Sequence, residues 1–239
     1  MHKKNFTLTE MLVVIAVFLI LFSLLSTSLS KILRSANEAV CASLTHDLLV
    51  ITFAYAENSD GYFMDMANQK NSTSTESKYP PYWTYGYWRE LLTTEYNLSR
   101  EHFYSPSNKN WNSDSFYYNG GTMIMGRMFF GSRGGYSMFN DATPAAKKGT
   151  PTFAIRNTDM PSQKVLWTDL NRRRGGYFVM PGDEIHPGSN HLYSPNVEWP
   201  SLSHNGLFDG SIEINDSASI QLQMRLIKLV DGVIVELFW

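Results

Sequence analysis

The segment from Phe6 to Leu29 constrains this chain more than any other. Lys3 and Lys4 precede it, Glu10 sits near its start, and no further charge occurs until Lys31. An apolar run of this length spans a bilayer as one helix. The basic residues ahead of it place the N-terminus on the cytoplasmic side, so the rest of the chain lies outside. A carboxylate costs about 2.5–3.5 kcal/mol at the bilayer centre and less near the interface. Glu10 therefore asks for a role that a plain anchor does not supply.

Phe6-Thr7-Leu8-Thr9-Glu10, followed by Met11-Leu12-Val13-Val14-Ile15-Ala16, resembles the N-terminal segment of type IV prepilins and type II secretion pseudopilins. The shared pattern is a short basic leader, a junction, an acid at fixed spacing and an apolar helix. Asn5 stands where that family usually has Gly, and Thr9 where an aliphatic residue is usual. The resemblance implies a five-residue leader, 1–5, cut from the chain between Asn5 and Phe6 by a prepilin peptidase, with N-methylation of Phe6. It also implies that Glu10 pairs with the terminal ammonium of a neighbouring subunit inside an apolar helix bundle. Such a pair gains strength from low dielectric, where a lone carboxylate is penalised. The implied partners are the peptidase, other pilin or pseudopilin subunits, an inner-membrane assembly platform and membrane lipid.

No glycine or proline occurs before Gly61, so the helix need not end at the membrane. Ile32, Ala36, Val40, Leu44, Leu48, Ile51 and Tyr55 recur at spacings of three and four, which predicts an amphipathic extension over 30–57. Asn58-Ser59-Asp60-Gly61 then ends it, with Gly61 suited to a left-handed cap. The expected architecture is α+β. A transmembrane helix (6–29) runs into its amphipathic extension, which packs on an antiparallel sheet in a loop-rich head (58–239).

The net charge of −2 points to no nucleic-acid partner. The single cysteine, Cys41, forms no intramolecular disulfide and reads as a small residue on a packed face. His46 has no ligand partner a helical turn away and reads as a solvated or capping residue. Within the head, 62–77 reads as a polar surface loop. The aromatic stretch Tyr79-Pro80-Pro81-Tyr82-Trp83-Thr84-Tyr85-Gly86-Tyr87-Trp88 suits either sugar stacking or packing of a loop-rich core. A short helix begins near Trp88. Strands are expected at Thr122–Gly126, Arg127–Phe130, Val165–Trp167 and 177–180, and a hairpin around Asp231-Gly232, with a helix over 217–229 as its competitor. Arg172-Arg173-Arg174 reads as a basic turn.

Asp183, Glu184, His186, His191 and His204 are the metal-like residues of the sequence, with donors suited to zinc or another transition metal. Their spacing matches no helix-borne metal motif, and no cofactor is expected. Lys164–Asp169 is similar to a strand ending in Asp in a bacterial subgroup of pilin-like proteins. That subgroup often carries a His near the C-terminus, then a strand and Asp-Gly. Ser203–Ile214 looks like a shortened version, in which Asn205-Gly206 and Asp209-Gly210 are both turn formers. No catalytic arrangement of Ser, His and Asp, phosphate loop or carboxylate pair stands out. The expectation, which the resemblance to prepilins implies, is a structural filament subunit and not an enzyme. A second reading is a secreted or anchored binding module, with residues 1–28 as an ordinary signal segment.

Overall fold

The computed structural model describes residues 7–66, 81–131, 154–161, 163–174, 189–191, 199–220, 222–226 and 235–238. The chain divides into two units, one ending at Ala39 and one beginning at Val40. Helix α1, Leu8–Glu57, contributes to both.

From Met11 to Leu29, in the first unit, the helix carries no charge and its large apolar side chains are exposed. Leu12, Val13, Phe18, Leu21 and Leu25 are all exposed, and the segment is long and apolar enough to cross a membrane. Several of its serines satisfy their hydroxyls on the helix backbone. Ser23 donates to the Ile20 carbonyl at 2.8 Å, Ser26 to Phe22 at 2.9 Å and Ser30 to Ser26 at 3.1 Å. Back-bonding of this kind satisfies a hydroxyl without water, as a hydrocarbon setting requires.

In the second unit, α1 buries one face, made by Cys41, Thr45, Leu48, Leu49, Thr52 and Ala56. This corrects the expected stripe. Val40 is exposed, Leu44 and Ile51 are only half-buried, and the true face is turned by about one residue. Polar groups cause the offset. Thr45 and Thr52 donate to the carbonyls of Cys41 and Leu48 at 2.8 and 2.7 Å, which lets both threonines face inward. The helix ends as its sequence indicates. Gly61 has φ +80°, and its N–H donates to the Ala56 carbonyl at 2.9 Å.

Helices α2 (Gly86–Thr94) and α3 (Asp114–Tyr117) are short. The described residues also form two 3-10 turns, at Arg100–Phe103 and Lys109–Trp111, and three antiparallel sheets. A two-stranded sheet pairs β1 (Trp83–Tyr85) with β2 (Thr122–Ile124). The central four-stranded sheet contains β3 (Arg127–Phe129), β4 (Val165–Asp169), β6 (Leu202–Leu207) and β7 (Ile212–Asp216), in the order 3-4-6-7. The third contains β5 (Arg172–Arg174), β9 (Val235–Phe238) and β8 (Leu222–Leu226), in the order 5-9-8. Pairing of β8 with β9 favours the expected hairpin over the competing helix; its turn lies outside the described residues, as does the strand expected over 177–180.

Three local expectations are corrected. Arg172–Arg174 is a strand, not a turn. Two of its guanidinium groups lie over aromatic faces, Arg172 4.7 Å from the Trp111 ring and Arg173 5.3 Å from Phe238. The start of the expected surface loop is core, with Phe63, Met64 and Met66 buried. Asn205-Gly206 lies inside β6; only Asp209-Gly210 turns, with Gly210 at φ +84°. In the described part of the aromatic stretch Tyr82 and Trp88 are buried, and Trp88 meets Tyr55 edge-on at 5.8 Å, which favours packing; Tyr79 and Pro80 lie outside the described residues.

Helix α1 lies close over β6 because Gly206 has no side chain. A Cβ there would come within 2.9 Å of Leu49 Cγ and 3.1 Å of Thr45 Cγ2. Trp167 Nε1 also donates to Thr52 Oγ1 at 2.8 Å, which ties β4 to the same helix face. Gly206→Ala is expected to destabilise the head by about 1–3 kcal/mol through overpacking. Denaturant unfolding followed by tryptophan fluorescence checks this.

Candidate functional site

Two places carry unusual charge, the start of α1 and the buried end of β4. At the first, Thr7 and Glu10 form a reciprocal cap. The Thr7 backbone N–H and hydroxyl both donate to Glu10 Oε2 at 2.8 Å, while the Glu10 N–H lies 3.3 Å from Thr7 Oγ1. This is the capping box of a Thr-x-x-Glu helix start. The sequence carries that signal openly at Thr7-Leu8-Thr9-Glu10, and the expectation for Glu10 overlooked it. Asn5 and Phe6, the expected processing residues, lie outside the described residues.

The second place is built around Asp169, the last residue of β4. The run Val165-Leu166-Trp167 is buried, and Asp169 is carried inward with it, fully shielded from solvent. Oδ2 receives the His204 backbone N–H at 3.0 Å and lies 2.7 Å from His204 Nδ1 and 2.9 Å from His191 Nε2. Oδ1 receives Arg127 Nη1 at 3.3 Å and Asn190 Nδ2 at 3.2 Å. Burial opposes the charge of this carboxylate. His191, His204 and Arg127 outweigh burial and hold it well below the usual carboxylate range.

Backbone pairing places each partner. Arg127 opens β3 directly across from Asp169. His204 lies in β6, where its register partner on β7 is Ile214. The 189–191 turn is held by the Asn171–Ser189 bridge and by the Asn190 N–H donating to the Leu170 carbonyl at 3.1 Å. Arg127 then reaches α1, donating to Thr45 Oγ1 at 2.6 Å and lying 3.4 Å from the Cys41 carbonyl. Cys41 Sγ lies 3.1 Å from Ser105 Oγ. Burial, with the Asp169 charge adding to it, pushes the Cys41 thiol up to about 11, so Cys41 is no ready nucleophile.

Of the expected metal-like residues, the structure brings together His191 and His204. Asp183, Glu184 and His186 lie outside the described residues. The two histidines gather instead with Asp169 and Cys41, and one potential ligand atom from each of the four lies within 4.8 Å of the others. Asp169 had a signal, as the acid closing an apolar strand. Arg127 had one too, since a cation ahead of Met128-Phe129-Phe130 in a buried strand needs an acid nearby. Cys41 had none beyond its place on the helix. His46 is exposed, beside Asp47 at 3.9 Å, as expected of a solvated residue.

The geometry defines a mixed helix and antiparallel-sheet protein with a long apolar N-terminal helix and a buried ionic cluster in its head. Comparison with family models, with curated proteins and with solved structures finds no match to this chain.

Removing one partner of a buried ion pair leaves the other charge uncompensated. Arg127→Met is therefore expected to cost about 3–5 kcal/mol of head stability. Thr45→Val, which removes only a neutral acceptor from Arg127, is expected to cost about 1–3 kcal/mol. Equal effects in denaturant unfolding would contradict this ordering.

Proposed function

We propose that this chain is a pilin-like or pseudopilin subunit of a type IV pilus or type II secretion-type filament. The observation that carries the reading is the Phe6-Thr7-Leu8-Thr9-Glu10 element at the head of a fifty-residue helix. That helix is exposed and apolar from Met11 to Leu29 and buries one face in the second unit. In this reading a prepilin peptidase cuts after Asn5, Phe6 is methylated, and the subunit waits in the inner membrane with its head on the outer side. An assembly platform then recruits it. The apolar helices of many copies form the filament core, and the heads form the surface. The chain serves as building material and as a substrate of processing enzymes, rather than as a catalyst.

The capping box bears on the role of Glu10. Before assembly Thr7 gives two hydrogen bonds to one oxygen of its carboxylate, Oε2, which lowers the cost of holding the charge near the bilayer. Pairing with a neighbour's ammonium is then an exchange of partners. Glutamine also completes a capping box, so Glu10→Gln keeps the cap and removes the charge. Thr7→Ala does the reverse. If the charge is what assembly needs, Glu10→Gln inserts normally but is excluded from filaments, whereas Thr7→Ala is incorporated. Incorporation of Glu10→Gln at wild-type levels would end the pairing role.

The wider reading is checked by the mass of the N-terminal peptide of the mature protein from its native host. A peptide beginning at methylated Phe6 is expected. A start near Leu29 would instead make the chain an ordinary secreted protein.

A further inference from the structure

We propose that Cys41, Asp169, His191 and His204 bind a late first-row divalent metal ion, zinc being the best fit, as a closed structural site that ties α1 to the central sheet. The inference stands whether or not the chain is a filament subunit. All four residues are fully buried, and one candidate ligand atom from each falls within 4.8 Å of the others. Zinc binds nitrogen and oxygen at about 2.0–2.2 Å and sulfur at about 2.3 Å, so tetrahedral ligands sit roughly 3.3–3.8 Å apart. The cage is thus close to the size an ion needs. Asp169 Oδ2 now lies 2.7 and 2.9 Å from the two imidazoles, and a shift of well under ~1 Å would turn these contacts into shared coordination.

The donor chemistry selects the ion. Two imidazole nitrogens, one carboxylate oxygen and one sulfur suit zinc or cobalt, whereas calcium and magnesium require an oxygen shell. Four protein donors with no opening to solvent describe a structural site rather than a catalytic one. His204 presents its Nδ1 to Asp169 Oδ2, and this is the ring nitrogen the cage would use.

Outer contacts resemble those that steady metal ligands elsewhere. Ser105 lies on Cys41 Sγ, and Asn190 on Asp169 Oδ1. Among the described residues Arg127 is the adverse charge, yet it contacts Oδ1 and leaves Oδ2 to the imidazoles. A Cys41 thiolate and the Asp169 carboxylate together outweigh it by one negative charge. Binding would release the thiol proton to solvent.

The test uses the full-length protein in detergent. Metal content is measured after extensive dialysis, and then Co²⁺ is added as a probe. We expect about one equivalent of bound zinc, or of cobalt after exchange, per folded chain. The cobalt form should show a thiolate charge-transfer band and the visible bands of a tetrahedral ion. Cys41→Ser, which is nearly isosteric, should lose the charge-transfer band. His204→Gln should weaken cobalt binding by more than about tenfold. Circular dichroism establishes that each variant is folded. Folded wild-type protein that takes up less than about a tenth of an equivalent of either ion would overturn the proposal. An unchanged cobalt spectrum in folded Cys41→Ser would overturn it as well.

Discussion

A carboxylate cut off from water sets the terms for the head. Asp169 cannot be buried alone, because an uncompensated interior charge costs several kcal/mol. Every element around it is arranged to answer that charge. β3 supplies Arg127, the 189–191 turn supplies Asn190 and His191, and β6 supplies both the backbone and the ring of His204. Arg127 in turn needs acceptors, and α1 provides them at Thr45 and at the Cys41 carbonyl. The helix is therefore held on the sheet by polar contacts as well as by Leu48 and Leu49. Few apolar packings fix the rotation of a helix so narrowly, since hydrogen bonds have directions and dispersion contacts do not.

The same fact explains what the sequence revealed and what it concealed. The long helix is legible because its signal is coarse: no Gly or Pro before Gly61, a charge-free stretch, then apolar residues at spacings of three and four. Its buried face was misjudged by about one residue because the pattern was read from Ile32, Val40 and Leu44, while Cys41, Thr45 and Thr52 face inward. Threonines that bond to their own helix carbonyls look polar in sequence and behave as packing residues in the fold. Arg172–Arg174 was misread for the opposite reason. Three cations in a row suggest a solvated turn, yet aromatic faces from Trp111 and Phe238 receive two of them.

The cluster was legible only in fragments. His191 and His204 stood out as ligand types, and Asp169 as the acid ending an apolar strand. Nothing in their spacing joined them to Cys41, which lies more than a hundred residues earlier in the chain. Such groupings depend on sheet order and on helix docking, and no local periodicity encodes either. The Thr7–Glu10 cap shows the reverse case. It is wholly local and readable from Thr7-Leu8-Thr9-Glu10, whereas the assembly role of Glu10 rests on the resemblance to prepilins.

Gly206 has a reach beyond its own strand. It lies two residues from His204, and it faces Leu49 and Thr45 on the helix that also carries Cys41. The distance from α1 to β6 is therefore set by the absence of a methyl group. A helix lifted by even a few tenths of an ångström at this point would carry the sulfur of Cys41 away from the imidazole of His204. The bore of the polar chamber is thus gauged by an empty position just outside it, and a residue with no side chain acts as its spacer.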